Sequence, residues 1–252
     1  MNGDDLGKQV SRYACEVSSA RTLVLWDIDH TLVSIDGVGK DIYAEAFRVV
    51  TGRSMQRVAA MAGRTDWAIT VETLRMHDVE VSEELLESFG AALAEAFVVY
   101  EAAISERGRV LAGAREVLDV LAGRVDVIQS VLTGNMEPLA IGKLTAFELE
   151  HLVDFEVGAY GMDHEDRAVL VGLAQERAAR KYGESFTRHN TVLVGDTPND
   201  VLAGHLGGAR VVAVATGSSD VQTLKAAGAD LVLEDLTDTA AVVRAVLAAT
   251  DR

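Results

Sequence analysis

Two aspartates directly follow a short apolar run near the start of the sequence. The run is Leu23–Trp26, and the acids are Asp27 and Asp29, two residues apart. Because side chains alternate between the faces of a strand, both carboxylates point to the same side if this run is a buried strand. Two like charges repel each other, and a divalent cation with oxygen ligands, such as Mg2+, would offset that repulsion. Taken alone, the pair fits a metal site and an ordinary strand end about equally well.

A second pair of aspartates follows another apolar run. Asp196 comes just after the run Thr191–Val194, and Asp200 lies one helical turn further on. The carboxyl ends of parallel strands share one edge of a sheet, and open α/β sheets bind ligands there. Both residues could therefore reach the same cation as the first pair. The alternative is that Asp196 caps a helix beginning at Pro198, and the two roles are compatible.

A hydroxyl, a glycine and an amide follow a third apolar run. Thr133, Gly134 and Asn135 come directly after residues 125–132. The hydroxyl, the backbone amides and the N-terminus of a following helix could together hold a phosphate group. An ordinary capped turn uses the same residue types and is the more common arrangement. This segment alone does not separate a phosphate cradle from a turn.

The apolar runs that carry these residues alternate with helical segments from Gly108 onward. Short runs rich in β-branched residues occur at 125–132, 155–157, 191–194, 210–215 and 230–233. Such alternation predicts a parallel sheet with helices on both faces. The predicted fold class is therefore α/β, with a Rossmann-like three-layer core.

A helical block interrupts this pattern after the first strand. Residues 40 to about 107 have helical periodicity and contain no strand candidate. Thr65 and Ser82 stand where the N-terminal caps of a second and a third helix are expected. The block predicts a helical cap that is inserted into the α/β core.

These patterns divide the chain into two predicted domains. Residues 1–34 and 108–252 form the α/β core domain, and residues 35–107 form the cap domain. The first 20 residues are mixed and polar, which is typical of a loose arm or a short helix.

Composition narrows the range of partners. The 252 residues carry a net charge of −16, which disfavours a broad surface for nucleic acid or an anionic membrane. Cys15 is the only cysteine, so no internal disulfide is possible and we expect a reducing, cytoplasmic setting. We find no secretory signal and no apolar run long enough to span a membrane. A monomer and a homodimer both remain open.

The three strand ends and the helical insertion, taken together, resemble the haloacid dehalogenase-like superfamily of phosphatases and phosphotransferases. The resemblance extends from residue 21 to about 235 and rests on the segments Asp27-x-Asp29-x-Thr31, Val131-Leu-Thr133-Gly-Asn135 and Gly195-Asp196-x-x-x-Asp200. The position and helical character of the cap resemble the phosphoglycolate phosphatase and β-phosphoglucomutase branch.

The resemblance implies a role for each residue of the first two segments. Asp27 would be the nucleophile that forms an aspartyl-phosphate. Asp29 would be the general acid for the leaving group and then the base for water. Thr133 would bind a phosphoryl oxygen, with Gly134 and Asn135 beside it in the substrate site.

The resemblance also implies a Mg2+ ion as cofactor. The carboxylates of Asp196 and Asp27 and the backbone carbonyl of Asp29 would hold the ion, with Asp200 close by. Mg2+ would offset the repulsion between an anionic phosphate ester and a carboxylate nucleophile.

Three further residues bear on the resemblance. The family uses a lysine or arginine between the second and fourth strands, and we favour Arg167 over Lys143, although Arg167 could instead be a solvated arginine in a first helical turn. Arg64, in a polar cap loop that resembles the family's specificity loop, could contact an anionic leaving group or merely be solvated. His30 stands where the family commonly has glycine, and we expect a spectator role for it.

The implied activity is Mg2+-dependent hydrolysis of a small phosphomonoester, so the expected partner is a small anionic phosphorylated metabolite. A mutase-type phosphotransferase uses the same residues and remains an alternative. Carbon–phosphorus and carbon–halogen hydrolases of this fold usually lack the second acid that Asp29 supplies. A non-catalytic binding protein is the last alternative, and the complete set of acids argues against it.

Overall fold

The structure, a computed structural model, describes residues 21–35 and 37–248. Its larger sheet consists of β1 (Thr22–Trp26), β4 (Val127–Val131), β5 (Thr191–Gly195), β6 (Arg210–Val214) and β7 (Leu231–Leu233). The strands lie in the order β4-β1-β5-β6-β7, and every neighbouring pair is parallel. A small antiparallel sheet pairs β2 (Val33–Ser34) with β3 (Arg109–Val110).

Strand β1 lies inside the sheet, and helices cover both of its faces. Its side chains alternate between two apolar clusters. Val24 and Trp26 belong to the cluster that includes residues of α5 (Ala114–Ala122) and α10 (Thr239–Ala248). Leu23 and Leu25 belong to the cluster that includes residues of α7 (Arg167–Tyr182) and α8 (Pro198–Gly207). A strand buried on both faces is a continuous apolar run, as the sequence shows. The remaining core helices are α6 (Glu137–Ala146) and α9 (Val221–Ala226).

Four helices separate the two strands of the small sheet. They are α1 (Val38–Thr51), α2 (Asp66–Arg75), α3 (Glu83–Val99) and α4 (Glu101–Arg107). They enclose a hydrophobic cluster of their own, in which Phe47, Phe89 and Leu93 are buried. The predicted α/β fold class with a helical insertion is confirmed. The limits of the two domains stay a prediction.

Both predicted helix caps in this block are confirmed. The Thr65 side chain accepts a hydrogen bond from the Ala68 amide at the start of α2. The Ser82 side chain accepts one from the Leu85 amide at the start of α3. Each bond satisfies a backbone donor that has no partner within its helix.

The strand predicted at Phe155–Val157 is wrong, because these residues form a single turn of 3-10 helix. The carboxylate of Asp154 accepts a hydrogen bond from the Glu156 amide and stabilises the turn. A run of three residues is too short to resist such local capping. Just after the turn, Ala159 instead forms an isolated bridge with Leu132, the residue that follows β4.

The predicted N-terminal arm and Cys15 lie outside the described residues. Within residues 21–35 and 37–248, no single helix is long and apolar enough to cross a membrane. Helices α3 and α4 together meet that length and composition, but they are bent by 59°.

Candidate active site

The ends of three neighbouring strands and the start of one helix meet at a cavity of about 700 Å³. Asp27 and Asp29 follow β1, Thr133 follows β4, Asp196 follows β5, and Arg167 is the first residue of α7. All five line the cavity, between the core and the cap. The structure therefore brings together residues that are far apart in the sequence, because β4, β1 and β5 are adjacent.

Three aspartates form a buried acidic cluster at this edge of the sheet. Carboxylate oxygens of Asp27, Asp196 and Asp200 all lie within 4.8 Å of one another. Arg167 Nη2 lies 2.7 Å from Asp27 Oδ1 and 2.6 Å from Asp200 Oδ1. Only 7% of the Arg167 side chain is exposed, so the alternative of a solvated arginine is wrong.

The cluster holds more negative charge than Arg167 can neutralise. Burial raises the pKa of Asp27 to about 7; Arg167 opposes this shift, and the charges of Asp200 and Asp29 add to it. Burial, followed by the charges of Asp27 and Asp200, raises the pKa of Asp196 to about 8. A bound cation would stabilise the ionised form of carboxylates such as these, which burial and neighbouring negative charge destabilise.

The hydrogen bonds of Asp200 indicate where a cation would fit. One carboxylate oxygen, Oδ2, accepts hydrogen bonds from the backbone amide and hydroxyl of Thr197. The other, Oδ1, is buried and has no hydrogen bond, since its contact with Arg167 is close but poorly directed. Carboxylate oxygens are the donors that hard divalent cations prefer. The donor set, with one buried Asp200 oxygen that has no hydrogen bond, therefore fits a divalent metal ion.

The residue that caps the N-terminus of α8 is not the one considered from the sequence. Thr197 caps the helix, and its side chain accepts a hydrogen bond from the Asp200 amide while Asp200 accepts one from the Thr197 amide. This reciprocal capping box relieves Asp196 of the capping role considered from the sequence. Asp196 is thus free to face the other acids, and Thr31 Oγ1 lies 3.5 Å from its Oδ1.

Asp29 points away from the acidic cluster and is held by Lys143 and Asn135. Lys143 Nζ lies 2.7 Å from each Asp29 carboxylate oxygen, and Asn135 Nδ2 donates to one of them at 2.7 Å. Burial raises the pKa of Asp29, but the charge and hydrogen bonds of Lys143 and the amide of Asn135 outweigh it and hold that pKa below its ordinary value. A metal contact through the backbone carbonyl of Asp29 stays a prediction.

The pairing of Lys143 with Asp29 was missed from the sequence. A signal was present, because Lys143 lies on a face of α6 whose other members, Leu139, Ala140 and Leu144, are buried. A lysine on a buried face needs an anionic partner. The sequence did not show which of the many acids that partner is.

Thr133 is buried and its hydroxyl is oriented by Asn135. The hydroxyl oxygen accepts hydrogen bonds from the Asn135 backbone amide at 3.2 Å and from its side-chain amide at 2.8 Å. With its oxygen occupied as an acceptor, the hydroxyl can donate its proton to a ligand in the cavity. The contacts of Thr133 and Asn135 with a substrate stay predictions.

Gly134 allows the cap to approach the core. A Cβ atom at this position would lie 1.9 Å from the carbonyl oxygen of Arg64. The Gly134 carbonyl also accepts a hydrogen bond from the Asp66 amide at 2.7 Å. Glycine is therefore required at this position because the cap loop packs closely against it. A contact between Gly134 and phosphate stays a prediction.

Further hydrogen bonds join the start of α2 to loops of the core. The Thr65 hydroxyl donates to the carbonyl of Glu165 at 2.9 Å. The carboxylate of Asp66 accepts a hydrogen bond from the Met136 amide at 2.7 Å. Both contacts place the cap directly over the acidic cluster, and neither was predicted from the sequence.

The side chain of Arg64 is already paired within the cap. Its guanidinium lies 2.6 Å from the carboxylate of Glu72 and donates to the carbonyls of Ala60 and Ala68. Arg64 lines the cavity, but Glu72 neutralises its charge. Contact with an anionic leaving group would require Arg64 to separate from Glu72, and it stays a prediction.

The backbone conformation of His30 explains why the resembled family commonly has glycine at this position. Its φ of 62° lies in the left-handed region, which favours glycine. The carbonyl of His30 accepts a hydrogen bond from the Thr216 hydroxyl at 2.5 Å. This contact joins the loop after β1 to the segment after β6.

Known structures resemble the chain over most of its length. A "predicted phosphatase" from Clostridium acetobutylicum superposes with a TM-score of 0.61 at 16% identity, covering 90% of this chain and 100% of the other. A "predicted phosphoglycolate phosphatase" from Haemophilus somnus gives 0.60 at 19% identity, with coverages of 88% and 98%. A provisionally assigned β-phosphoglucomutase from Bacteroides vulgatus gives 0.58 at 18% identity, with coverages of 92% and 91%.

A family model described as HAD-hydrolase-like matches residues 169–239. The chain has the haloacid dehalogenase-like fold. The resemblance predicted from the sequence is thereby confirmed. At these identities the structural likeness concerns the haloacid dehalogenase-like fold and not the reaction. No match is found among curated proteins.

We expect the metal-free protein to become less stable as pH rises. The pKa values of Asp27, about 7, and Asp196, about 8, exceed the ordinary value of 3.8, so the folded chain binds more protons than the unfolded chain above that value. The stabilisation is complete below the ordinary pKa and is lost as pH rises through the raised values. Thermal unfolding in EDTA should show Tm falling between about pH 4 and pH 8 and levelling off above that range.

Addition of Mg2+ should reverse this trend. At about 100 times its Kd, a ligand raises the free energy of unfolding by about 2.7 kcal/mol. The gain should be larger at about pH 8 than at pH 6, because protons compete with the metal for carboxylates. NaCl of equal ionic strength is the control. A Tm equally raised by both salts would contradict a metal site at the acidic cluster.

Proposed function

We propose that the protein is a Mg2+-dependent phosphatase that hydrolyses a small phosphomonoester through an aspartyl-phosphate intermediate. The observation that carries this proposal is the position of Asp27. Its carboxylate contacts Arg167 inside the acidic cluster and faces a cavity that Thr133 and Asp29 also line. A nucleophile, a cation, a hydroxyl donor and a second acid together can form a covalent intermediate and stabilise the charge on a transferring phosphoryl group.

In the first step, an oxygen of Asp27 attacks the phosphorus of the ester. The new bond forms as the bond from phosphorus to the alcohol oxygen breaks, and Asp29, which has to be protonated for this step although Lys143 favours its ionised form, donates its proton to that oxygen. Arg167 and the Thr133 hydroxyl bind phosphoryl oxygens and stabilise the charge on them. General acid catalysis of this kind contributes typically ~10²–10⁴-fold.

In the second step, Asp29 takes a proton from a water molecule, and the resulting hydroxide attacks the phosphorus. The bond from phosphorus to Asp27 breaks, which releases inorganic phosphate and restores the carboxylate. The contact with Lys143 favours the ionised form of Asp29, and this form is the one that the second step needs.

Asp27, Asp196 and Asp200 would hold the Mg2+ ion. When bound, the ion would neutralise charge on the transferring phosphoryl group. The lack of a hydrogen bond to Asp200 Oδ1 and the excess negative charge of the cluster support this assignment.

Phosphate release from a panel of phosphomonoesters tests the proposal. We expect release in Mg2+ and its loss in EDTA, with recovery when Mg2+ is restored. Equal release in EDTA would contradict a metal-dependent reaction. A folded protein that releases no phosphate from any ester, but interconverts sugar phosphates, would instead be a mutase-type phosphotransferase.

A further inference from the structure

The half of the cavity that belongs to the cap differs in character from the half that holds the acidic cluster. Its wall is formed by aliphatic side chains and a methionine, namely Ile35, Ile42, Val58, Met61, Ile69 and Leu139. Leu139 belongs to α6 of the core, and the other five residues lie between β2 and β3. If Asp27 attacks the phosphorus, the alcohol part of the ester projects towards this wall.

The buried or half-buried polar side chains of this half, those of Tyr43, Asp66 and Arg64, already have partners. The Tyr43 hydroxyl donates to Asp66 Oδ1 at 2.6 Å, and Asp66 Oδ2 accepts from the Met136 amide. Arg64 is paired with Glu72. A substrate carboxylate placed here would have to break these contacts to obtain a hydrogen bond from Tyr43 or Arg64.

The backbone carbonyls of the cap loop that line this half also have hydrogen-bond partners. The carbonyl of Ala60 accepts a hydrogen bond from Arg64, and the carbonyl of Ala62 accepts one from Asn199 Nδ2. Among the described residues that line this half, Lys40 is the remaining cation, and it is exposed. The interior of the cap half therefore presents mainly hydrocarbon to a ligand.

We propose that the substrate is a phosphomonoester whose alcohol part is an apolar hydrocarbon group, not a carboxylate or a polyhydroxylated sugar. This inference rests on the proposed phosphatase function and specifies its substrate class. Burial of apolar surface against the wall would stabilise such an ester. A carboxylate or several hydroxyls buried there without partners would instead lose their hydrogen bonds to water. A volume of about 700 Å³ exceeds what a phosphate group needs and is in the range that encloses larger organic ligands.

The test is hydrolysis of ethyl, n-butyl and n-hexyl phosphate. These esters have similar leaving groups, so their reactivity differs little and their binding differs in apolar surface alone. We expect kcat/KM to rise roughly 2- to 4-fold per methylene group, which is the effect of burying that group. Phosphoglycolate and glucose 6-phosphate should be poorer substrates than n-hexyl phosphate. A kcat/KM that is flat or falls with chain length would overturn the inference.

A charged variant of the wall provides a second test. Met61→Lys should reduce the ratio of kcat/KM for n-hexyl over ethyl phosphate at least 3-fold and raise the relative use of phosphoglycolate. Val99→Lys, which adds the same charge at a 74% exposed position of the cap, should leave the ratio unchanged. An equal change in both variants would contradict a role for the cavity wall.

Failure of this inference can be distinguished from failure of the proposed function. If all esters are hydrolysed without dependence on chain length, the substrate class is wrong and the phosphatase function stands. If none is hydrolysed, the phosphatase function is wrong, and calorimetric binding of n-hexyl and ethyl phosphate to the folded chain still tests the apolar wall. Tighter binding of the hexyl ester would support the wall as a hydrocarbon site, and equal binding would overturn it.

Discussion

Replacement of Asp27 by asparagine is expected to lower phosphate release by at least about 10³-fold, because the amide cannot form the aspartyl-phosphate. Asparagine retains the size of the side chain. It also resembles the neutral form of Asp27, which is well populated near neutral pH since burial raises the pKa of this group to about 7. The variant should therefore remain folded. Release of phosphate in Mg2+, measured with the best ester of the panel, checks the prediction.

Two controls make the Asp27→Asn result specific. Asp119→Asn changes the same side chain on the exposed face of α5 and should leave kcat and KM unchanged. After reaction with the ester and rapid quenching with acid, the wild type should carry a covalently bound phosphoryl group and Asp27→Asn should not. This difference would identify Asp27 as the phosphorylated residue. Retention of more than about a tenth of the activity by Asp27→Asn would rule out Asp27 as the nucleophile.

Replacement of Arg167 by methionine is expected to destabilise the fold by about 3–5 kcal/mol, the usual cost of removing one partner from a buried ion pair. Arg167 Nη2 contacts the carboxylates of Asp27 and Asp200, and both acids are buried. Without the guanidinium, the three acids of the cluster have no cation within ion-pair distance among residues 21–35 and 37–248. Urea-induced unfolding in EDTA, with the m-value monitored for two-state behaviour, measures the loss.

The matched control for Arg167→Met is Arg48→Met. Arg48 is 60% exposed and pairs with Glu45 on the surface of α1, where ion pairs contribute little. This variant should unfold at nearly the same urea concentration as the wild type. Mg2+ should restore part of the stability lost by Arg167→Met, because the ion also neutralises the acids. Equal urea midpoints for Arg167→Met and the wild type in EDTA would show that Arg167 does not hold the acidic cluster together.

The strand ends could be predicted from the sequence because their signals are local. Strand β1 is an apolar run that stops at Asp27, and the run of β5 stops just before Asp196. Once these runs are strands of one parallel sheet, their ends must share an edge. The chemistry of that edge follows from the residue types, whereas Arg167 was placed near it only by the resemblance to the family.

Contacts between distant segments could not be predicted in the same way. Lys143 and Asp29 are 114 positions apart, and nothing near either residue indicates the other as its partner. The hydrogen bond between Asp66 and Met136 depends on how the cap lies against the core, which no local pattern records. The mistaken strand at 155–157 has the opposite cause, since there a single capping side chain, that of Asp154, outweighed the strand propensity of its neighbours.

The separation between Asp27 and Arg167 has a consequence for protein synthesis. The two residues are 140 positions apart, and the whole cap lies between them. At roughly 5–20 residues per second, a ribosome needs about 7 to 28 s to add that length of chain. During this interval the nascent chain lacks the cation that pairs with Asp27, and the whole cap is translated before Arg167. The acidic cluster can therefore be completed only after the cap has been synthesised.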